Sequence, residues 1–153
     1  MQNTRNFDAL AGALFDLTRF LNSPQRDDIL LRMAGVKLDR ALFPLLMRLG
    51  MHGPLAVAEL AELAGRDHTT VSRQLAKLES LGLVERPGGD TDRRRRSAAL
   101  TAAGFQVREA ITNARHRAWS EVFAGWSTAE QKMLAALVRR FADDLVRTAD
   151  RHE

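Results

Sequence analysis

Between Leu55 and Thr101 the chain reads LAVAELAELAGRDHTTVSRQLAKLESLGLVERPGGDTDRRRRSAALT, and this stretch constrains the fold more than any other. Val57, Leu60, Ala61 and Ala64 recur at helical spacing, and Gly65 stands where a left-handed residue closes a helix. Arg66-Asp67 then makes a tight turn. The Asp67 side chain can accept hydrogen bonds from the free N–H groups of a new first turn, so a second helix starts there and runs to about Leu81, where Gly82 stops it. Two short helices joined in this way form a helix-turn-helix.

The second helix has two distinct faces. Val71, Leu75 and Leu78 lie on one side and Thr69, Arg73, Lys77 and Ser80 on the other. Short hydroxyl side chains let a helix approach phosphates closely, and an arginine in the early turns can reach guanine O6 and N7 through two parallel hydrogen bonds. The alternative is a plain solvated face, and the charge of the next segment weighs against it. That segment reads as a hairpin: a short strand Leu83-Val84-Glu85-Arg86, a turn Pro87-Gly88-Gly89-Asp90, then Arg93, Arg94, Arg95 and Arg96 leading into a strand that ends at Leu100. Adjacent like charges repel one another, and phosphates relieve that repulsion, so a basic wing facing DNA is expected; a disordered basic loop is the alternative.

With these residues in view the chain resembles the MarR-type transcriptional regulators. The resemblance rests on LAELAGRDHTTVSRQLAKLESLGLVER from Leu60 to Arg86, on the wing signature Asp92-Arg93-Arg94, and on Leu100-Thr101-Ala102-Ala103-Gly104, which is similar to that family's LTxxG. It implies that Asp92 braces Arg94, whose guanidinium enters the minor groove, that Thr69 and Arg73 touch bases, and that Thr70 and Ser72 touch phosphates. Asp67, His68, Lys77, Arg86, Arg93 and Arg95 complete the expected DNA-facing set. Two departures stand out: Ala56 opens the first helix where the family often has Ser or Thr, and Asp90 occupies a wing-turn position where the family usually has Pro.

The chain has 153 residues, 45% of them hydrophobic, enough to bury a core as one compact domain or as one domain with a dimerisation extension. The net charge of +4 is modest, and it becomes meaningful because the cations gather between Arg66 and Arg96. The absence of cysteine removes disulfides, thiolate metal sites and thiol-based sensing. MQNTRNFDAL lacks the layout of a signal peptide and no apolar run approaches membrane-spanning length, so a cytoplasmic protein is expected.

Outside the central stretch the pattern is helical. Phe7, Leu10, Leu14, Leu17 and Leu21 alternate at steps of three and four, like a coiled-coil seam, and Asn22-Ser23-Pro24 ends that helix. A short amphipathic segment from Gln25 to Met33 is closed by Gly35. Asp39 is expected to cap a helix with Leu42, Leu45, Leu46 and Leu49 inside, bent at Pro44 so as to shape a neighbouring cavity. Thr101 caps a long helix with Val107, Ile111, Ala114, Ala118 and Val122 along one side. Ser127 and Glu130 form a capping box for a last helix carrying Leu134, Leu137, Val138, Phe141, Leu145 and Val146.

The expected fold class is mainly α with a small β-hairpin wing: a winged helix-turn-helix over residues 37–101 and a helical dimerisation region made of 1–36 and 102–153. No glycine-rich phosphate loop, nucleophile elbow or paired metal-spaced histidines are present, so neither an enzyme nor a cofactor or metal site is expected. The resemblance further implies a site for an aromatic or phenolic ligand between the dimerisation helices and the DNA-binding lobe, near Phe15, Phe43, Met47, His52 and Trp119; ordinary core is the alternative for these residues. The function expected is that of a homodimeric repressor bound to a pseudo-palindromic operator on double-stranded DNA and released by such a ligand. An architectural DNA-coating protein and a winged helix used for protein contacts are the alternatives.

Overall fold

The computed structural model describes residues 2–86 and 97–151, so the expected wing turn and Asp92, Arg93, Arg94 and Arg95 lie outside the described residues. Its elements run α1 (Gln2–Leu21), α2 (Pro24–Ala34), α3 (Phe43–His52), α4 (Val57–Ala64), α5 (His68–Ser80), β1 (Val84–Glu85), β2 (Ala99–Leu100), α6 (Ala102–Val122) and α7 (Thr128–Ala149). The mainly helical fold with a small antiparallel sheet is the one expected. Contacts within the chain divide it into one unit ending at Arg115 and a second beginning at His116.

In the first unit, the leucines spaced along α3 to α5 meet in one core. Leu45, Leu46, Leu49, Leu60, Val71, Leu75 and Leu78 are wholly buried, joined by Val84, Ala98 and Leu100 at the base of the wing and by Ile111 and Ala114 from α6. Each such leucine or valine contributes about 1.5–3 kcal/mol through its removal from water. The helix ends follow their local chemistry. Gly35 and Gly65 close α2 and α4 in the left-handed conformation, with φ of 66° and 61°. At Ala56 the side chain offers α4 no cap, and only the reciprocal half is made, Ala56 N–H donating to Glu59 Oε2 at 2.8 Å.

One expectation about α3 is corrected. The Asp39 carboxylate accepts from Ala41 N–H at 2.8 Å, closing a turn instead of capping a helix, and α3 begins at Phe43 with Leu42 as its N-cap. Pro44 therefore lies in the first turn, where its missing N–H breaks no helical hydrogen bond; it sets the start of α3 and does not bend it. The wing base is also broader than the hairpin alone. Val84 pairs with Leu100 and Glu85 with Ala99, and the segment before α4 adds a bridge in which Leu55 and Ala98 exchange N–H···O bonds of 3.1 and 2.8 Å.

The start of α6 is held by three contacts. Thr101 Oγ1 accepts from Gly104 N–H at 3.1 Å, donates to Gly82 C=O at 2.6 Å, and Thr101 N–H donates to Leu83 C=O at 3.1 Å. Gly104 is required there because a Cβ would collide with the Leu83 carbonyl oxygen. The two long terminal helices look outward. Every side chain from Thr4 to Leu21 is exposed, with Phe7 at 64% and Phe15 at 77%. In the second unit α7 opens with the expected Ser127–Glu130 capping box and has no buried residue. Among the described residues no helix is long and apolar enough to cross a membrane.

Gly104→Ala should lower stability in urea denaturation by about 1–3 kcal/mol, as overpacking against fixed backbone does. Gly12→Ala, in the middle of α1 with open space around it, should raise stability by roughly 0.5–1 kcal/mol through helix propensity alone. Equal effects of the two would deny the close approach at Leu83.

Candidate nucleic-acid interface

The helix expected to read DNA is anchored from behind and free in front. Val71, Leu75 and Leu78 bury one face of α5, and Thr69, Arg73, Lys77 and Ser80 stand exposed on the other. His68 is exposed at the first turn, and Thr70 and Ser72 are half-buried beside the exposed face. One helix therefore presents hydroxyls and two cations on a single accessible stripe, a surface matched to phosphates and base edges.

The entry to α5 is fixed by Asp67, whose Oδ1 accepts from Thr70 N–H at 2.8 Å. Hydrogen bonds from Thr70, side chain first and backbone second, hold the Asp67 carboxyl below its ordinary range, and Arg73 adds to the effect. The carboxylate also gives the helix N-terminus the negative charge its dipole favours. Asp67 thus has a capping role in this structure.

Two arginines not singled out in the sequence set the angle of the motif. Arg66, in the turn between α4 and α5, donates through Nη1 to Ala41 C=O at 2.7 Å and to Gln74 Oε1 at 2.8 Å. Arg48 of α3 donates through Nε to Leu63 C=O at 2.7 Å, satisfying a carbonyl at the end of α4. A long side chain that ties three elements has no local signature, so neither role was visible in the spacing. Arg86 is half-buried with Nε 3.5 Å from Glu79 Oε2, so the recognition helix carries its own counter-charge for that arginine. An ion pair this exposed contributes at most about 1 kcal/mol.

The expected ligand residues are divided between the two units. Met47 is buried and Phe43 half-buried in the core of the first unit, His52 is exposed in the last turn of α3, and Phe15 is exposed on α1. Trp119 belongs to the second unit. There it lines an open cavity of about 350 Å³ with His116, Ser120, Phe123 and Gln131, and its ring lies 5.7 Å from that of Phe123. No group of three or more His, Asp or Glu side chains suited to a metal ion occurs among the described residues.

A helix-turn-helix with a β-wing base and an open cationic recognition face defines a winged-helix DNA-binding protein. A model of the MarR family matches residues 37–95. The chain is 32% identical over 126 residues to the uncharacterized HTH-type transcriptional regulator YxaD of Bacillus subtilis (strain 168), covering 82% of this chain and 87% of that one. The structure is similar to that of Staphylococcus aureus MarR in complex with salicylate and kanamycin, with TM-score 0.71, 16% identity and coverage of 93% and 96%. It is similar also to the Mycobacterium tuberculosis MarR family protein Rv2887 in complex with DNA, with TM-score 0.66, 24% identity and coverage of 86% and 96%. The chain belongs to the MarR family and is a transcriptional regulator, not an enzyme.

The Asp67 cap is sensitive to acid. Because its folded pKa lies below the ordinary value, its contribution is complete above the unfolded pKa and is lost as pH falls through the folded one. The Thr70 amide resonance should therefore titrate below the usual aspartate range while the α5 entry frays, and Asp67→Asn, which caps without titrating, should abolish that titration. A Thr70 amide that titrates unchanged in Asp67→Asn would assign the effect elsewhere.

Proposed function

We propose that this regulator acts as a homodimer that represses transcription from a pseudo-palindromic operator and is released by a small aromatic or phenolic ligand. The observation that carries the DNA reading is the exposed Thr69–Arg73–Lys77 stripe on a helix whose opposite face is locked into the core. The relative named as a DNA complex supports it. In this reading Thr69 and Arg73 meet bases, Thr70, Ser72, His68 and Lys77 meet phosphates, and the wing arginines Arg93, Arg94 and Arg95 extend the contact, with Asp92 bracing Arg94 in the minor groove.

Dimerisation is supported by the apolar seam of α1, which the chain leaves open to water, and by the apolar side chains exposed on α7. The helical dimerisation region is then 1–36 and 102–153 and the DNA-binding lobe 37–101. The salicylate complex of the Staphylococcus aureus relative supports an aromatic effector. A ligand that binds better to a dimer with wrongly spaced recognition helices draws the population away from the DNA-competent form. Such a regulator works in the cytoplasm, where its operator is.

Sedimentation at micromolar concentration should give a dimer, and footprinting on the DNA upstream of its own gene should give half-sites about 34–36 Å apart. A monomer that still protects a single half-site would remove the dimer reading. Arg73→Ala should cost about 1–3 kcal/mol and relax sequence preference, whereas Lys77→Ala should weaken all sequences alike and reduce the salt slope by roughly one unit. Equal loss of preference in both variants would mean that the faces of α5 are assigned wrongly.

A further inference from the structure

Glu79 and Arg86 meet where the recognition helix lies against the first strand of the wing base. Val84 is buried, Glu85 exposed and Arg86 half-buried, so Arg86, one residue past β1, leaves the chain on the same side as Val84. On that side β1 packs against α5. Arg86 Nε is closed off from solvent, makes no hydrogen bond among the described residues, and has Glu79 Oε2 at 3.5 Å. Glu79 itself is exposed and stands in the last turn of α5.

A carboxylate at this place is unfavourable on two counts. The last turn of a helix ends in unpaired carbonyls, whose partial negative charge repels it. It also stands two residues past Lys77, on the helix whose exposed stripe is matched to phosphates. A cation offsets both, and Arg86 is the cation that packing brings to it. The arginine is in turn poorly placed for a phosphate, since its Nε is enclosed beside Glu79. What the pair gains is geometry. Arg86 is followed in sequence by Pro87 and then by the stretch that carries Arg93 to Arg96, so a contact that fixes Arg86 to α5 fixes where that stretch departs from the helix. A protein that reads DNA with a helix and a wing needs the two in register, and a joint set before binding leaves less freedom to lose on docking.

We infer that Glu79 is a positioning residue for DNA recognition: its carboxylate holds Arg86, and with it the departure of the basic segment, at a set distance from α5, and Arg86 serves this joint and not a phosphate. The inference rests on the DNA-reading role given to α5 above, and it removes Arg86 from the DNA-facing set expected from the sequence.

The test measures the affinity of the full chain for its operator and for a non-operator duplex of equal length over a series of salt concentrations, together with the NMR signal of the Arg86 Nε–H in the free protein. Electrostatics alone says that removing a negative charge beside DNA tightens binding. The joint requires the reverse: Glu79→Gln should weaken operator binding roughly tenfold, a coupling within the range of neighbouring charged pairs, while binding to the non-operator duplex holds or tightens. Arg86→Gln should lose as much and keep the parent's salt slope, whereas loss of a phosphate contact would lower that slope by roughly one unit. The double variant should lose no more than either single one. Melting temperatures should stay near that of the parent, because a pair this exposed contributes little to stability. The Nε–H signal, sharp in the parent because the group is enclosed, should broaden in Glu79→Gln as exchange with water quickens. Tighter operator binding by Glu79→Gln, a lowered salt slope in Arg86→Gln, or additive losses in the double variant would overturn the inference. A parent with no preference for any operator would reject the recognition role given to α5, and the Nε–H signal would then decide the joint by itself: broadened by Glu79→Gln it stands, unchanged it falls.

Discussion

The fold of the first unit turns on the junction at Thr101. Its hydroxyl accepts from Gly104 N–H while donating to Gly82 C=O, and its own N–H donates to Leu83 C=O. A single side chain thus caps the long helix α6 and ties that cap to the chain leaving the recognition helix. Gly104 lets α6 approach until only a hydrogen atom fits between its backbone and Leu83. Displacing this contact would move the wing base, the end of α5 and the start of α6 together, because all three share the same few backbone groups.

The recognition helix is held by complementary means at its two ends. At the entry, Asp67 accepts from Thr70 N–H and Arg66 joins the turn to Ala41 and Gln74. Through its length, Val71, Leu75 and Leu78 are wholly buried. The polar stripe carries none of this load. Thr69, Arg73 and Lys77 stand exposed on the other face, and a rigid helix that presents its side chains to solvent loses little on binding beyond their rotamer freedom.

The distribution of apolar surface separates two tasks in one chain. The core of the first unit is satisfied within the chain, with Leu45, Leu46 and Leu60 fully enclosed. On α1 the same kinds of side chain, Phe7, Leu10, Leu14 and Leu17, remain open to water along the full helix. A helix exposing a continuous apolar seam is incomplete on its own, since isolated helices derive most of their stability from a packed face. In the homodimer proposed above, this seam is the face that a second copy would cover.

Much of this was legible in the sequence because it is local. Helix ends at Gly35 and Gly65, the caps at Asp67, Thr101 and Ser127, and the two faces of α5 each depend on residues within a turn or two of one another, so spacing reveals them. Pro44 differs from its expected place for the same reason: Asp39 satisfies a turn at Ala41 before the helix begins, so two local solutions compete for the same residues. Where long side chains reach follows from packing and not from local spacing. Arg48 reaches Leu63 and Arg66 reaches Ala41 because packing brings those residues together, as it does the backbones of Leu55 and Ala98, and a flexible arginine stem can serve any of several partners within its span. Which helices form, and which face of each is apolar, follows from periodicity along the chain. Which polar groups find partners, and which are left buried without one, is set by the geometry of the packed core.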